Sequence, residues 1–502
     1  LLQKKLIIFR KKIFMPHRTN KPWIRLLFIT VLSISLFGCF DDYDDEVISD
    51  DDIKTFVWKG LNAVYLYKDN ISDLSNDRFN SNLELRQFVA DYQSPEALFE
   101  HLIYTPKDRF SIIVEDYNVL EQIFAGNNQT NGMEFGLAKS PDSNFEVIGF
   151  VKYILPNSNA STTNLKRGDI FYAINGTPLT LNNYRSLISP PSYTLNLANY
   201  DEQNETLTPN NSSVSLSKTN YSENPIYINQ VINTANNKVG YLMYNGFIGS
   251  ANNDVALNNV FGEFKSEGVN ELVLDLRYNP GGSVRSAIWL ASMITGDYTG
   301  ETLIKRQWNS EIQQSFEAEN PEALIDTFQD AIVYRNSNGE TLVNEAINHL
   351  NLNRVYVLTS PNSASASELV INGLKPYIEV IQIGTKTAGK YQASTTIYDS
   401  PELVNKQGVN PLHNYALQPL IFKISNANDV TDFDDGLSPS IAYEEQLGAF
   451  GIIGDVEEPL LKKALNAIEG IDDDRSSRTN NKSLKLIKLK DSYKQLMYLS
   501  LE

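Results

Sequence analysis

Two short segments carry residue types that can do chemistry together. Ser363-Ala364-Ser365-Ala366-Ser367-Glu368 is a cluster of small residues and serines that follows the apolar run Val355-Tyr356-Val357-Leu358. Thr387-Ala388-Gly389-Lys390 follows the next apolar run, Ile378 to Ile383. A strand, a loop opening a helix, and a second strand ending in a lysine can bring one hydroxyl and one amine together. A serine with a neutral lysine beside it makes a nucleophile without histidine, provided that burial lowers the lysine pKa from about 10.4 by several units.

A third segment supplies what such a nucleophile needs. Asp275-Leu276-Arg277-Tyr278-Asn279-Pro280-Gly281-Gly282 follows the buried apolar run Leu272-Val273-Leu274 and precedes a helical pattern from Val284 to Met293. Two glycines at a helix N-terminus leave backbone N–H groups open to an oxyanion. Taken singly, each segment has an ordinary explanation: a turn for Asn-Pro-Gly-Gly, a helix cap for the serines. It is their joint occurrence, in this order, that is specific.

The elements that must position these residues alternate strand and helix from about residue 225 onward. Val239 to Tyr244 and Leu272 to Leu276 read as strands, Val255 to Phe264 as a helix, and Asp455 to Ile468 as a last helix. Upstream, Ile53, Phe56, Val57, Leu61, Val64 and Tyr65 fall on one helical face, and Ser94-Pro95 is a helix start. Between these regions, Phe145 to Val151 and Ile170 to Ile174 are strand-like, with Asn175-Gly176 as a hairpin turn. Residues 200–224 read as a linker or an edge hairpin.

Bulk properties narrow the class. The chain has 502 residues, a net charge of −18, 42% apolar residues, one cysteine and four histidines. Such acidity argues against a nucleic-acid partner. A lone cysteine excludes a disulfide framework and cysteine-based zinc sites, and His17, His101, His349 and His413 lack ligand spacing, so neither metal nor other cofactor is expected. The short apolar run Leu26 to Phe37, preceded by Arg18, Lys21 and Arg25 and followed by Gly38-Cys39, describes a secretory signal, with Met15 as its expected start. Leu36-Phe37-Gly38-Cys39 resembles the lipobox of bacterial lipoproteins. Cys39 is then the expected site of acylation and membrane attachment. The acidic stretch 40–52 reads as a solvated tether, and also resembles surface-export signals of Bacteroidetes lipoproteins. The basic, amphipathic stretch Leu484 to Lys490 reads as a solvated tail, with contact to membrane or to the body of the protein as the alternative.

Together, the Asp-Leu-Arg…Asn-Pro-Gly-Gly stretch, Ser-Ala-Ser-Ala-Ser-Glu and Thr-Ala-Gly-Lys resemble the C-terminal processing (tail-specific) serine peptidases. Leu165 to Pro178 resembles the signature of a PDZ domain. The resemblance implies an α/β chain with a ClpP/crotonase-like catalytic domain, an inserted or preceding PDZ-like β domain and a small N-terminal helical domain. The expected boundaries are a signal at 1–39, a tether at 40–52, helices at 53–112, the PDZ-like domain at 113–215, the catalytic domain at 216–470 and a linker with basic tail at 471–502.

By the same resemblance Ser365 is the nucleophile and Lys390, twenty-five residues later, the general base. The N–H groups of Ala366 and of Gly281 or Gly282 form the oxyanion hole, and Phe135-Gly136-Leu137 is the loop that cradles a peptide carboxylate. Where many members carry a glutamine four residues after the lysine, this chain has Ser394, with Gln392 two residues earlier. Either one is then placed to orient Lys390, and the third catalytic member stays open. The implied activity is that of an endopeptidase acting on envelope proteins with exposed C-termini, anchored to the envelope of a Gram-negative bacterium. The alternative is a peptide-binding scaffold that kept the PDZ domain and lost proteolysis. A Ser-His-Asp site using His349 or His413, or Ser363 as nucleophile, would be a departure from the resemblance.

Overall fold

The computed structural model describes residues 49–141, 145–201, 204–336, 338–471, 486–487 and 497–499. The signal segment with Cys39, the first part of the acidic tether and most of the expected basic tail lie outside the described residues. The end of the tether does not behave as a tether. Asp50, Asp51 and Asp52 form the first turn of helix Asp50–Val64, capped by Ser49. Three carboxylates there sit at the positive end of the helix dipole, where negative charge is favourable.

The central feature is a six-stranded sheet in the order Ile226–Asn233, Lys238–Tyr244, Glu271–Asp275, Arg354–Thr359, Glu379–Gly384 and Ile441–Ala442. The first pair is antiparallel and every later pair is parallel. Helices Ala251–Glu267, Val284–Thr295 and Ala366–Leu374 make the crossovers or follow the strands. Side chains alternate across the sheet with period two. Val239, Tyr241 and Met243 pack with Leu460, Leu461 and Ala464 of helix Pro459–Ile468 on one face. Leu242, Tyr244 and Leu274 pack with Phe261, Phe264 and Leu290 on the other. That last helix begins at Pro459, later than Asp455, because Glu458 caps it through the Leu461 N–H at 2.7 Å and proline fits the first helical position.

The N-terminal helices Asp50–Val64, Asn82–Ala90 and Pro95–His101 share one continuous core with this sheet's helical face. Leu66 N–H donates to Leu420 O, and strand Ile112–Val114 pairs with Ala416–Gln418. A second sheet, built from Met133–Lys139, Val147–Ile154, Ile170–Ile174, Ser192–Asp201 and Thr206–Ser217, forms a β domain with its own core around Leu137, Val151, Phe171 and Leu195. The Asn175-Gly176 turn closes a hairpin with both residues at positive φ, +50° and +78°. Residues 192–217 form a long hairpin, the second of the two sequence readings for that region.

Among the described residues no helix is long and apolar enough to cross a membrane. Phe135-Gly136-Leu137 is not a loop. It lies inside strand Met133–Lys139, where Gly136 faces Phe150 so closely that an added Cβ would stand 2.4 Å from its ring. The glycine there permits close side-chain packing in a strand, where the PDZ resemblance implies a loop.

Candidate active site

Three loops leave the carboxyl ends of three adjacent parallel strands, the usual place for a site in an open α/β sheet. They run from Asp275 to Gly282, from Ser360 to Ser365, and from Thr385 to Lys390. The sequence-predicted serine, lysine and glycine pair therefore meet at one edge.

Ser365 caps helix Ala366–Leu374 with φ +67° and ψ −116°. A residue with a Cβ pays on the order of 1–3 kcal/mol for such a backbone, which must be held by its surroundings. Its hydroxyl oxygen is fully buried and makes no hydrogen bond. The other serines are occupied. Ser363 Oγ donates to Leu276 O at 2.8 Å and accepts from Ser360 N–H, while Ser367 Oγ donates to Asn279 O at 3.0 Å. Ser363 is thus a structural residue.

The glycine loop touches the serine directly. Gly281 has φ +108°, and a Cβ on it would stand 2.5 Å from Ser365 Cβ. Gly282 has φ +133°, and its Cβ would stand 2.3 Å from Phe247 O. No other residue fits at either place. Asn279 fixes this loop: its amide donates to Tyr244 O at 2.7 Å, and its Oδ1 accepts the Gly281 N–H at 2.9 Å. Ala364 N–H in turn donates to Asn279 O.

Lys390 is fully buried, and burial pulls its ammonium down to a pKa of about 7. Its Nζ lies 5.0 Å from the Phe110 ring centroid. Asp108 and Glu368 act in the opposite direction, but less than burial. Both carboxylates are committed to other donors. Asp108 accepts from Tyr65 OH and from the N–H groups of Phe110 and Ser111. Glu368, 0% exposed, accepts from Thr387 Oγ1 and from the N–H groups of Gly389, Ser365 and Lys390. One oxygen of Glu368 holds the backbone of both Ser365 and Lys390 at 2.8 Å. The sequence reading assigned Glu368 no role. Its signal was present: a serine followed three residues later by glutamate at a helix start is the capping-box spacing.

The two residues expected near the lysine are engaged elsewhere. Gln392 Nε2 donates to Tyr67 OH at 3.1 Å, and its Oε1 has no partner. Ser394 Oγ donates to Met497 O at 2.9 Å and accepts from Gln418 Nε2. Lys390 precedes strand Gln392–Ser394, so the side-chain alternation of that strand does not extend to it. The histidines lie apart from Ser365: His413 pairs with Asp399 at 3.0 Å, and His349 Nδ1 sits 2.6 Å from Asn351 Oδ1. Among the described residues no cluster of His, Cys, Asp or Glu is arranged to hold a metal ion.

A buried ionic hub underlies the first loop. Arg277, 0% exposed, meets Asp275 at 2.8 Å, Glu458 at 2.6 Å and Glu445 at 2.9 Å. Arg167 of the β domain joins it through Glu445 and the Tyr278 hydroxyl. The loop bearing Asn279 and the glycines is therefore tied to the β domain.

Residues 238–410 match the model of peptidase family S41, and residues 52–112 that of the peptidase S41 N-terminal domain. A probable CtpA-like serine protease of Staphylococcus aureus (strain COL) is 26% identical over 171 residues, 34% of this chain and 29% of that protein. The chloroplastic carboxyl-terminal-processing peptidase 3 of Arabidopsis thaliana is 28% identical over 169 residues, 33% and 27% of the two chains. The matches span less than a third of the length of these curated relatives. A putative S41 protease from Bacteroides fragilis NCTC 9343 shares the fold with a TM-score of 0.63 and 25% identity, covering 83% of this chain and 98% of that one. The helical N-terminal region and the strand–helix core that carries Ser365 and Lys390 are thus both similar to peptidase family S41.

Proposed function

We propose that this protein is a serine endopeptidase that hydrolyses peptide bonds in envelope proteins through a Ser365/Lys390 dyad. The observation that carries the reading is that two buried residues on adjacent loops are tied through their backbone N–H groups to one Glu368 oxygen. Ser365 is strained with an unbonded hydroxyl, and Lys390 has an amine that burial has brought to about 7. Neutral Lys390 takes the Ser365 proton as Oγ attacks the scissile carbonyl. The tetrahedral oxyanion is held by the N–H groups of Gly282 and Ala366. The Gly281 N–H is already taken by Asn279, and the first helical N–H groups of Ala366–Leu374 have no partner within their helix. Lys390 then returns the proton to the leaving amine as the C–N bond breaks. Water attacks the acyl-enzyme with Lys390 again as base, releasing the new carboxyl end and regenerating Ser365.

In this reading the β domain is PDZ-like and engages substrate tails by strand addition along Met133–Lys139, which only the short strand Leu486–Ile487 covers on its outer side, with no loop at Phe135–Leu137. Acylation at Cys39 would hold the enzyme at the envelope surface. The scaffold alternative draws on one observation: the Gln392 amide is engaged by Tyr67, and the Ser394 hydroxyl by Met497 and Gln418. The test is to incubate the protein with a library of unfolded proteins beside Ser365→Ala and Lys390→Ala. Cleavage by the parent that both substitutions abolish supports the dyad. Cleavage surviving both sinks it, and peptide binding without any cleavage by the parent establishes the scaffold.

A further inference from the structure

The C-terminal segment meets the rest of the molecule at two places. Leu486–Ile487 pairs antiparallel with Ala138 and Leu137 on the open edge of the β domain. Met497, Tyr498 and Leu499 then lie extended between the Gly282 loop and strand Gln392–Ser394, parallel to both. Tyr498 N–H donates to Gly282 O and Val284 N–H to Tyr498 O, each at 3.1 Å. On the other side Ser394 N–H donates to Met497 O at 2.8 Å, and Leu499 N–H to Ser394 O at 3.0 Å. Ser394 Oγ and Thr395 Oγ1 add bonds to Met497 O and Leu499 O, both at 2.9 Å. The Tyr498 ring stacks on Phe124 with centroids 4.3 Å apart, and its hydroxyl accepts the Gly249 N–H.

These two edges flank the candidate dyad. Gly282 adjoins Gly281, which touches Ser365, and Ser394 is four residues beyond Lys390. An extended polypeptide brought to Ser365 needs main-chain partners, and these are the partners that strand addition would use. With residues 497–499 in place they are taken, and Ser365 is 0% exposed. Four main-chain hydrogen bonds in three residues hold the strand without regard to most side chains, so another extended chain can replace it. The order of contacts is also informative. A substrate held at the β domain by its terminus would have its scissile bond upstream of that contact, whereas here the β-domain contact lies upstream of the cleft contact.

We propose that this chain's own C-terminal segment is the resident occupant of the peptide cleft, an inhibitory strand in cis that fills both docking edges and excludes polypeptide substrates until it is displaced. The proposal rests on the reading of the cleft as polypeptide-binding. The experiment uses the full chain, Tyr498→Pro, which removes the N–H given to Gly282, and Tyr498→Phe, which keeps both the ladder and the stack. Hydrogen exchange at the Val284 and Ser394 amides reports occupancy, and hydrolysis of reduced casein reports access. Tyr498→Pro should expose both amides and raise kcat/KM about tenfold, as expected for loss of an occupant present in nine molecules of ten. A synthetic peptide with the sequence of residues 486–502 should restore protection and inhibit, and Tyr498→Phe should resemble the parent. Amides that stay protected in Tyr498→Pro, or amides that open while kcat/KM stays level or falls, would overturn the proposal. If no form hydrolyses casein, the peptidase reading fails by itself. Binding of the labelled peptide to Ser365→Ala/Tyr498→Pro then decides occupancy: saturable binding that protects both amides sustains it, and no binding refutes it. Should Tyr498→Pro fail to fold, Phe124→Ala, which removes the ring beneath Tyr498, replaces it in every measurement.

Discussion

Two buried cations sit on neighbouring loops of the same sheet, and the fold treats them in opposite ways. Arg277 is surrounded by Asp275, Glu445 and Glu458, which together raise its pKa far above the ordinary value despite burial. Lys390 has an aromatic ring beside it, and the carboxylates nearest to it in effect, Asp108 and Glu368, are spent on backbone and hydroxyl donors. Burial then dominates and brings its amine to about 7. A cation matched by carboxylates is locked in its charged form and can only organise structure. A cation for which loss of solvent outweighs the nearby carboxylates can exchange a proton near neutral pH, the property a general base needs. The choice of residue agrees: arginine cannot be deprotonated in a protein, and lysine can.

Replacing Lys390 by Arg sharpens the contrast most. Charge and length are nearly kept but the neutral form is lost, so kcat should fall by about 10³-fold or more in a casein assay while circular dichroism stays unchanged. Activity retained within tenfold would break the assignment of Lys390 as base. Arg277→Met should destabilise the fold by about 3–5 kcal/mol in urea titration, since three carboxylates would be left buried without their partner. Lys390→Met should do the reverse and stabilise, by about 2–4 kcal/mol at pH 6.

The sign follows from linkage. Below pH 7 both the native and the unfolded chain carry the Lys390 proton, and the native state bears the full cost of the buried charge. Between 7 and 10.5 only the unfolded chain holds that proton, so native stability rises with pH and the advantage of Met fades across this window. For the same reason kcat/KM should climb about tenfold per pH unit below 7 and level off above it, a limb absent from any reaction in which Lys390 takes no part. The smallest effect is expected at Gln392. Its amide reaches Tyr67, so Gln392→Ala should change kcat less than about threefold, and a larger loss would restore it to the lysine's side.

Much of this site is legible along the chain because its parts sit at fixed places in local units. A strand, a turn and a helix start put Gly281, Gly282, Ser365 and Lys390 at strand ends, and the spacing alone brings them to one edge. Glu368 was within reach of the same reasoning, through its capping spacing from Ser365. Phe135 to Leu137 is a loop only by the PDZ resemblance, whereas Gly136 lies in a strand and makes room for the Phe150 ring from the neighbouring strand. Ser363, Gln392 and Ser394 were ambiguous because hydroxyls and amides find partners by proximity, and those partners, Leu276, Tyr67 and Met497, lie far away in sequence.

The sequence by itself determined the alternation of strands and helices, the identity of the nucleophile and base candidates, and the glycines that let two loops touch. The alternation and the glycines follow from backbone preferences and side-chain periodicity, which act over a few residues, and the nucleophile and base candidates from the family resemblance. Only the tertiary structure decided that burial brings the Lys390 amine to about 7, that Glu368 holds the backbone of the strained Ser365, and that residues 497–499 lie between the Gly282 loop and strand Gln392–Ser394. A pKa is set by everything that removes water from around a group. A strand laid into a groove is held by main-chain bonds that every residue can make, so no pattern of residue types announces it.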